Sequence, residues 1–323
     1  MIDRRLTVLR TFASCGTVAA TADLTGYSPS AVSAQLREFQ RSLGMTLLVK
    51  DGRGLRLTET GREMVRQSDL LVSTWERIRA QALVDGGQFR SEIGLGGFST
   101  AAANLLAPLA ASVRRDNPSV TVRIVEASPA RCFDLLVAEK LDLAVVISMQ
   151  AEGFPSERFD RFPLLDDPLD VVVPADHPMA GRGSVALAEL EDEDWITDAP
   201  GRPYHALFTA AFTAVGVSPR ITHEVSEWDT MIALIATGTG MGLVPRLADL
   251  HGAAGVARIP LDGPGTPVRR VLAAVRRGSG EDPLLRHCLE LLRRSAQEIM
   301  DRRVAGGPPG PSNPQNPQDP QNA

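Results

Sequence analysis

The chain has 323 residues, of which 43% are hydrophobic and 23% charged, with 34 Lys and Arg against 39 Asp and Glu. A domain averages about 150 residues, so the length predicts about two domains, and the composition indicates a folded rather than a disordered chain. No stretch reaches the roughly 18 uninterrupted apolar residues of a membrane helix. The N-terminus also lacks the apolar core of a signal peptide. We therefore predict a cytoplasmic protein without a membrane partner.

The cysteines and histidines argue against metal and redox chemistry. Cys15, Cys132 and Cys288 lie far apart in the sequence, and the five histidines are scattered. Zinc sites and disulfide frameworks require closer, paired spacings, so we expect no metal, no cofactor and three small buried or partly buried side chains. No nucleophile motif or phosphate-binding loop occurs, so the sequence does not predict an enzyme or catalytic residues.

The charge is unevenly distributed along the chain. Residues 1–66 carry ten Lys and Arg against six Asp and Glu, a net charge of +4, which leaves −9 for the remainder. A basic head on an acidic body is typical of a protein whose N-terminal part binds nucleic acid. The alternative is a chance fluctuation, because four excess charges are few.

The pattern of residues 17–43 predicts two short helices joined by a tight turn. A further helix is predicted before them, at residues 4–15. Thr17 and Ser28 are suitable N-caps, Gly26 can end the earlier helix in a left-handed conformation, and Pro29 suits a first helical position. This pattern indicates a helix-turn-helix, with a surface helix pair in an all-α subdomain as the alternative. The polar face of its second helix holds Ser28, Ser30, Ser33, Ala34, Arg37 and Arg41.

A basic β-hairpin is predicted directly afterwards. Residues 45–50 are strand-like, residues 51–54 form a turn, and residues 55–58 are a second strand. Lys50, Arg53 and Arg56 lie at or beside the tip, where a hairpin next to a groove-bound helix meets the phosphate backbone.

These segments resemble the LysR-type transcriptional regulators. The resemblance rests on SPSAVSAQLREFQ, SLGMTLLVKDGRG and LRLTETG, which occur in the family's order and spacing, while Thr25 and Ala34 depart from its usual leucine and longer polar residue. It implies a winged helix-turn-helix bound to double-stranded promoter DNA. The predicted DNA-binding residues are Thr17, Ser28, Pro29, Ser30, Ser33, Ala34, Arg37, Arg41, Lys50, Arg53 and Arg56.

A long helix should follow the hairpin, starting at the N-cap Thr58 and reaching about residue 82. Its heptad-like stripe predicts a dimerisation helix, and the alternative is a helix packed on its own domain. The resemblance implies a homodimer or homotetramer that binds the two halves of an interrupted palindrome, with RNA polymerase as a further possible partner. The stripe consists of Met64, Ser68, Leu71, Trp75, Ile78 and Ala82.

From residue 90 onwards, strand and helix patterns alternate, which predicts a parallel sheet covered by helices. This part resembles the two-lobed, periplasmic-binding-protein-like (type II) α/β effector domain of the same regulators. The predicted domains are 1–60, the DNA-binding head; 61–87, the linker helix; and 90–302, the effector domain. Its lobe I would hold about 90–163 and 267–302, and its lobe II about 164–266. The Pro, Asn and Gln-rich residues 305–323 should be disordered.

A small-molecule site is predicted between the lobes. The run Gly94 to Thr100 fails as a dinucleotide loop because Ser99 replaces the third glycine. Ser99 and Thr100 at a helix start would instead hold an anion, unless they merely cap the helix. Trp228 would line the cleft or, alternatively, lie in a core. The predicted effector-binding residues are Phe98, Ser99, Thr100, Ser128, Thr197, Gly201 and Trp228.

Together these features predict a sequence-specific transcriptional regulator that is controlled by an anionic or carboxylate metabolite. Two alternatives belong to other classes. A periplasmic-type solute-binding protein would explain two lobes, but it requires a signal peptide and leaves the winged head unexplained. An α/β enzyme would require a catalytic motif, and the sequence offers none.

Overall fold

The computed structural model describes residues 2–52, 54–148, 157–250, 252–263 and 265–305. The predicted DNA contact Arg53 and the predicted disordered tail beyond residue 305 lie outside the described residues. Among the described residues, no helix is both long and apolar enough to span a membrane.

The N-terminal head consists of three helices and a hairpin. Their ends follow local signals: the hydroxyl of Thr17 accepts a hydrogen bond from the Ala20 amide (3.1 Å), and Gly26 ends its helix at φ +78°. Leu9, Phe12 and Val32 are buried in the shared core. The elements are α1 (Arg4–Cys15), α2 (Val18–Thr25), α3 (Pro29–Leu43), β1 (Leu48–Asp51) and β2 (Gly54–Leu57).

A single long helix, α4 (Glu59–Asp85), leads out of the head. The Thr58 hydroxyl caps it by accepting a hydrogen bond from the Gly61 amide (2.9 Å). Gly61 permits close packing on the hairpin, because a Cβ there would lie 2.1 Å from the Leu47 carbonyl oxygen. Leu71, Trp75 and Ile78 of the predicted stripe are exposed.

The prediction that Ser68 lies on this exposed stripe is wrong. Ser68 is buried and donates a hydrogen bond to the Val65 carbonyl (2.6 Å). Ser68 belongs to a second face of α4 that packs on the chain itself. The face also holds Val65, Val72, Glu76 and Ala80.

Lobe I is built on parallel strands. β3 pairs with both β4 and β5 in parallel, and a short π-helical turn (Ala102–Leu106) joins α5 to α6. Its elements are β3 (Glu92–Gly97), α5 (Ser99–Ala101), α6 (Ala107–Asp116), β4 (Thr121–Glu126), α7 (Pro129–Val137) and β5 (Leu143–Ile147), and the chain returns to it through β13 (Val268–Arg276) and α10 (Pro283–Ala305).

Lobe II contains the intervening elements. Its core surrounds Trp195, Phe208 and Phe212, whose rings contact one another. The elements are β7 (Val185–Ala186), a 3₁₀ turn (Leu187–Leu190), β8 (Asp194–Thr197), α8 (Pro203–Ala214), β9 (Arg220–Glu224), α9 (Trp228–Ala236), β10 (Gly242–Pro245), β11 (Val256–Ile259) and β12 (Leu261–Asp262).

One long strand, β6 (Phe159–Pro174), connects the lobes. Residues 159–168 pair antiparallel with β13, and residues 169–174 pair antiparallel with β10 and β11. The main sheet is therefore mixed, in the order β10-β6-β13-β5-β3-β4, rather than wholly parallel as predicted. The predicted winged head, linker helix and two-lobed α/β body are confirmed.

Candidate DNA-binding surface and effector cleft

The polar face of α3 is presented to solvent. Val32, Leu36 and Phe39 are buried in the head, which turns Ala34 and Arg37 outward. Ser28 caps the helix by accepting a hydrogen bond from the Ala31 amide (3.2 Å). A helix with small and cationic residues on its exposed face can approach a major groove closely.

A groove of about 740 Å³ lies between the start of α2, the face of α3 and the hairpin. Four of the predicted DNA-binding residues line it: Thr17, Ser33, Arg37 and Lys50. The three elements thus place hydroxyl and cationic donors around one concave surface, which suits contacts to phosphates and base edges.

The other predicted DNA-binding residues that the structure describes do not line this groove. Ser28, Pro29, Ser30 and Ala34 are exposed along the start of α3. Arg41 is paired with Glu38 (2.7 Å), and Arg56 lies 3.5 Å from Asp51. Acidic partners at the last two positions weaken the positive potential that each arginine offers to DNA.

Gln40 has a positioning role that the sequence did not reveal. Its side-chain oxygen accepts hydrogen bonds from the amides of Leu47 and Leu48, both at 2.8 Å. These bonds join α3 to the start of the hairpin, and both Gln40 and Leu48 line the groove. No local signal marks the residue, because its partners are backbone amides of the following segment.

A buried cation lies beside the start of α5 in lobe I. Arg269, on β13, is 6% exposed and binds Asp167 through Nε (3.1 Å) and Nη2 (2.5 Å). Its Nη2 also lies 3.4 Å from the Thr100 hydroxyl, and its guanidinium lies 5.2 Å from the centre of the Phe98 ring. Two of the predicted effector residues are therefore grouped around a charge that sequence reasoning missed.

On the lobe II side, the predicted residue Thr197 ends β8. It is fully buried, and its hydroxyl has no hydrogen-bond partner among the described residues. The neighbouring Asp198 carboxylate accepts hydrogen bonds from Ser226 (2.9 Å) and Arg202 (2.8 Å). An unpaired buried hydroxyl is costly, so Thr197 offers an unused polar group next to an ordered polar network.

Tyr204 and Trp228 form an aromatic wall in lobe II. Their rings meet edge to face with centres 4.8 Å apart, and the Tyr204 hydroxyl donates to the Leu243 carbonyl. Burial raises the pKa of Tyr204, and the nearby positive charge of Arg269 opposes that rise. Trp228 is half-buried rather than fully enclosed in a core.

The remaining predicted effector residues lie at the edges of this region. Ser99 is exposed at the start of α5, and Gly201 adopts φ +85° in the turn before α8. Ser128 caps α7 and follows β4 directly; the Ala127 amide donates to the Gly97 carbonyl (2.9 Å), so this helix starts beside the end of β3. The structure brings Phe98 and Thr100 together most closely.

The cysteines match their prediction as small buried or partly buried side chains. Cys132 and Cys288 are buried, and burial raises the pKa of each thiol to about 12, while Cys15 is partly buried. Within the described ranges, no group of three or more His, Cys, Asp or Glu residues could hold a metal ion.

A winged helix-turn-helix joined by a long helix to a two-lobed cleft defines a DNA-binding regulator with an effector domain. Two family models match this arrangement: the bacterial regulatory helix-turn-helix protein of the lysR family at residues 4–62, and the LysR substrate binding domain at residues 86–297. The chain belongs to the LysR family of transcriptional regulators. This assignment confirms the regulator interpretation over a free-standing solute-binding protein.

The chain is also similar to individual proteins. The chain is 28% identical over 268 residues to the HTH-type transcriptional regulator TtuA of Agrobacterium vitis, covering 80% of this chain and 87% of that protein. It is similar to the structure of a full-length OxyR variant from Pseudomonas aeruginosa, with a TM-score of 0.64, 24% identity and coverage of 92% and 95%. It is also similar to the effector binding domain of QuiR in complex with shikimate, with a TM-score of 0.53, 21% identity and coverage of 64% and 97%.

Proposed function

We propose that this regulator binds an interrupted palindrome in promoter DNA through α3 and the hairpin, and that an anionic metabolite bound between its lobes controls it. The proposed units are the head at 1–60, the linker at 61–87 and the effector domain at 90–302. Lobe I comprises about 90–163 and 267–302, and lobe II about 164–266. Promoter DNA as the partner implies a cytoplasmic location, and we assign no catalytic role.

The observation that carries the effector class is the buried guanidinium of Arg269. Its hydrogen bonds to Asp167 use Nε and Nη2, so Nη1 is the remaining nitrogen that an arriving anion would contact. Charge-assisted hydrogen bonds from a guanidinium are strong in a partly desolvated site. A carboxylate bound there would also reach the Thr100 hydroxyl, which lies 3.4 Å from Arg269 Nη2. The shikimate bound by the QuiR domain is itself a carboxylate.

The exposed stripe on α4 supports a dimer. Leu71, Trp75 and Ile78 are 51%, 39% and 56% exposed and follow steps of four and three residues. This is the spacing of a helix that pairs with a second helix through a coiled-coil-like contact. A symmetric dimer carries two heads and therefore suits a palindromic site. Two dimers would form the homotetramer.

The unpaired hydroxyl of Thr197 gives a direct test of the cleft. Replacing it by valine removes a polar atom that has no partner among the described residues, so the unliganded protein should keep its stability. A panel of small carboxylates and their uncharged amides is screened against wild type by thermal shift, since a ligand of the folded state raises the melting temperature. We expect carboxylates alone to give shifts.

The affinity of each hit is then measured for two variants. Thr197→Val should bind it about tenfold more weakly, which corresponds to one lost hydrogen bond of about 1.4 kcal/mol. Thr213→Val, on the exposed side of α8, is the matched control and should bind like wild type. The proposal would be contradicted if only the uncharged amides raised the melting temperature. It would also be contradicted if Thr197→Val and Thr213→Val bound the hits with equal affinity.

A further inference from the structure

The head rests on lobe I of its own chain through an apolar contact. Leu24, near the end of α2, is 2% exposed, yet it belongs to the core cluster of lobe I rather than to that of the head. Phe133 and Leu136 of α7 are in the same cluster, and Cys15 at the end of α1 packs against it. A leucine of the helix-turn-helix therefore completes the core of the effector domain.

Polar contacts surround this apolar contact. Asp23 is paired with Arg131 (2.5 Å), and the Ser14 hydroxyl donates to the Asp134 carboxylate (2.5 Å). Just beyond the end of α7, Glu139 accepts a hydrogen bond from Thr7 (3.2 Å). Complementary charges and hydrogen bonds around a buried leucine are the arrangement of a specific interface, with an apolar centre and a polar rim.

The same helix begins beside the proposed effector site. Ser128 caps α7, and the preceding Ala127 amide donates to the carbonyl of Gly97, which directly precedes Phe98. Arg131 and Asp134 follow Ser128 by three and six residues, so less than two helical turns separate the cleft from the contacts to the head. α7 is rigidly packed in between, because Cys132, Phe133 and Leu136 are fully buried.

The docked head keeps its DNA-binding surface free. The groove lined by Ser33, Arg37 and Lys50 contains none of the residues that contact α7. DNA binding and docking on lobe I can therefore occur together, and a change in one can alter the other.

We propose that α7 is a direct link between the effector cleft and the DNA-binding head of the same chain, and that the docked contact sets the orientation of the head. The role of α7 in effector response rests on the proposed effector site. A shift at Ser128 moves the residues that hold Asp23 and Ser14, without passing through α4. By linkage, DNA bound to the head must then act back on α7.

The link is tested by hydrogen exchange of the full-length protein without DNA. Asp23→Arg and Arg131→Asp each place like charges at the contact and should speed exchange of the α7 amides about threefold. The double swap, Asp23→Arg with Arg131→Asp, restores opposite charges and should restore the wild-type rate. Arg115→Asp, at an exposed arginine of α6, is the matched control and should leave α7 unchanged.

Leu24→Ala is the second variant, because Leu24 lies outside the core cluster of the head and its loss should not unfold the head. It should speed α7 exchange about tenfold or more, as expected for an apolar side chain removed from a core. The proposed contact between the head and α7 would be contradicted if the single charge reversals left α7 exchange unchanged. It would also be contradicted if the double swap exchanged as fast as the faster single variant.

The coupling is measured by adding a DNA duplex. Duplex binding should change α7 exchange in wild type but not in Leu24→Ala, and no change in wild type would overturn the link. A scrambled duplex at low salt serves equally, because it occupies the head through its phosphates. If the proposed operator recognition fails, the protein will bind specific and scrambled DNA with equal affinity. If the proposed effector site fails, the Thr197→Val comparison will show it.

Discussion

Arg37 is the residue on which discrimination between DNA sequences should depend most. It lies exposed on α3 and lines the groove together with Ser33 and Lys50. An arginine in this position can contact a guanine edge through two hydrogen bonds, whereas we expect the hairpin cations to contact only phosphates.

Arg37→Ala should therefore reduce affinity for the specific operator by about 1–3 kcal/mol while changing non-specific affinity much less. The measurement is competition between operator and scrambled duplexes, followed by fluorescence anisotropy. Arg115→Ala, in which an exposed arginine outside the head is lost, should bind like wild type. Unchanged operator affinity of Arg37→Ala would show that the recognition face lies elsewhere.

Single residues differ in how far the sequence predicts them. The caps Thr17, Ser28 and Thr58 were predictable because each accepts a hydrogen bond from an amide three residues later. Arg269 was not, because its partners Asp167 and Thr100 are 102 and 169 residues away in the sequence. A buried charge is defined by such distant partners, and no local pattern records them.

At the scale of elements, α4 is held to lobe I by buried charges. Glu76 is 3% exposed and pairs with Arg276 (2.8 Å), which also binds Asp142 (2.8 Å). Burial raises the pKa of Glu76, but the attraction of Arg276, Arg79 and Arg90 outweighs burial and holds the pKa below its ordinary value. Burial also raises the pKa of Asp142, but the combined attraction of Arg276 and Arg90 holds it below its ordinary value.

Glu76→Gln should reduce the free energy of unfolding at pH 7 by about 3–5 kcal/mol, because a partnered buried charge loses its counter-ion. Glu63→Gln, at an exposed ion pair on the same helix, should leave the free energy of unfolding close to the wild-type value. Both values come from urea unfolding.

The pH dependence has a defined sign. A lowered pKa in the folded state means that the stabilisation by Glu76 is complete above the unfolded value of about 4.3 and is lost as the pH falls through the folded value. The stability difference between wild type and Glu76→Gln should therefore shrink below about pH 4. A difference that stayed constant with falling pH would contradict the ionised pairing.

The long strand β6 shows where sequence patterns fail for whole elements. Residues 159–168 contain Pro163 and Pro168, and a proline within a run of residues argues against a strand in a local pattern. In the structure, the pairing with β13 shifts register between Val271 and Leu272, opposite Leu165 and Pro163. A strand can accommodate a proline at a bulge, so β6 continues past Pro163.

At the scale of the whole molecule, the chain passes from head to linker to lobe I, enters lobe II through β6 and returns through β13. The order of these units was predictable, because caps, turns and alternating strand and helix patterns are local. Their mutual packing was not predictable. Leu24 lies within the predicted helix-turn-helix, but it is buried in lobe I, and only the tertiary structure assigns such a residue to one core or another.

The central claim is that the head binds a particular DNA sequence. It is tested most directly by fluorescence anisotropy of the purified protein with duplexes from upstream of its own gene and from a genome-wide selection, each against a scrambled duplex. Titrations at several salt concentrations separate phosphate contacts from base contacts. We predict one duplex bound at least about 10³-fold more tightly than the scrambled one, with a steep salt dependence. Equal, weak binding to all duplexes would contradict the account.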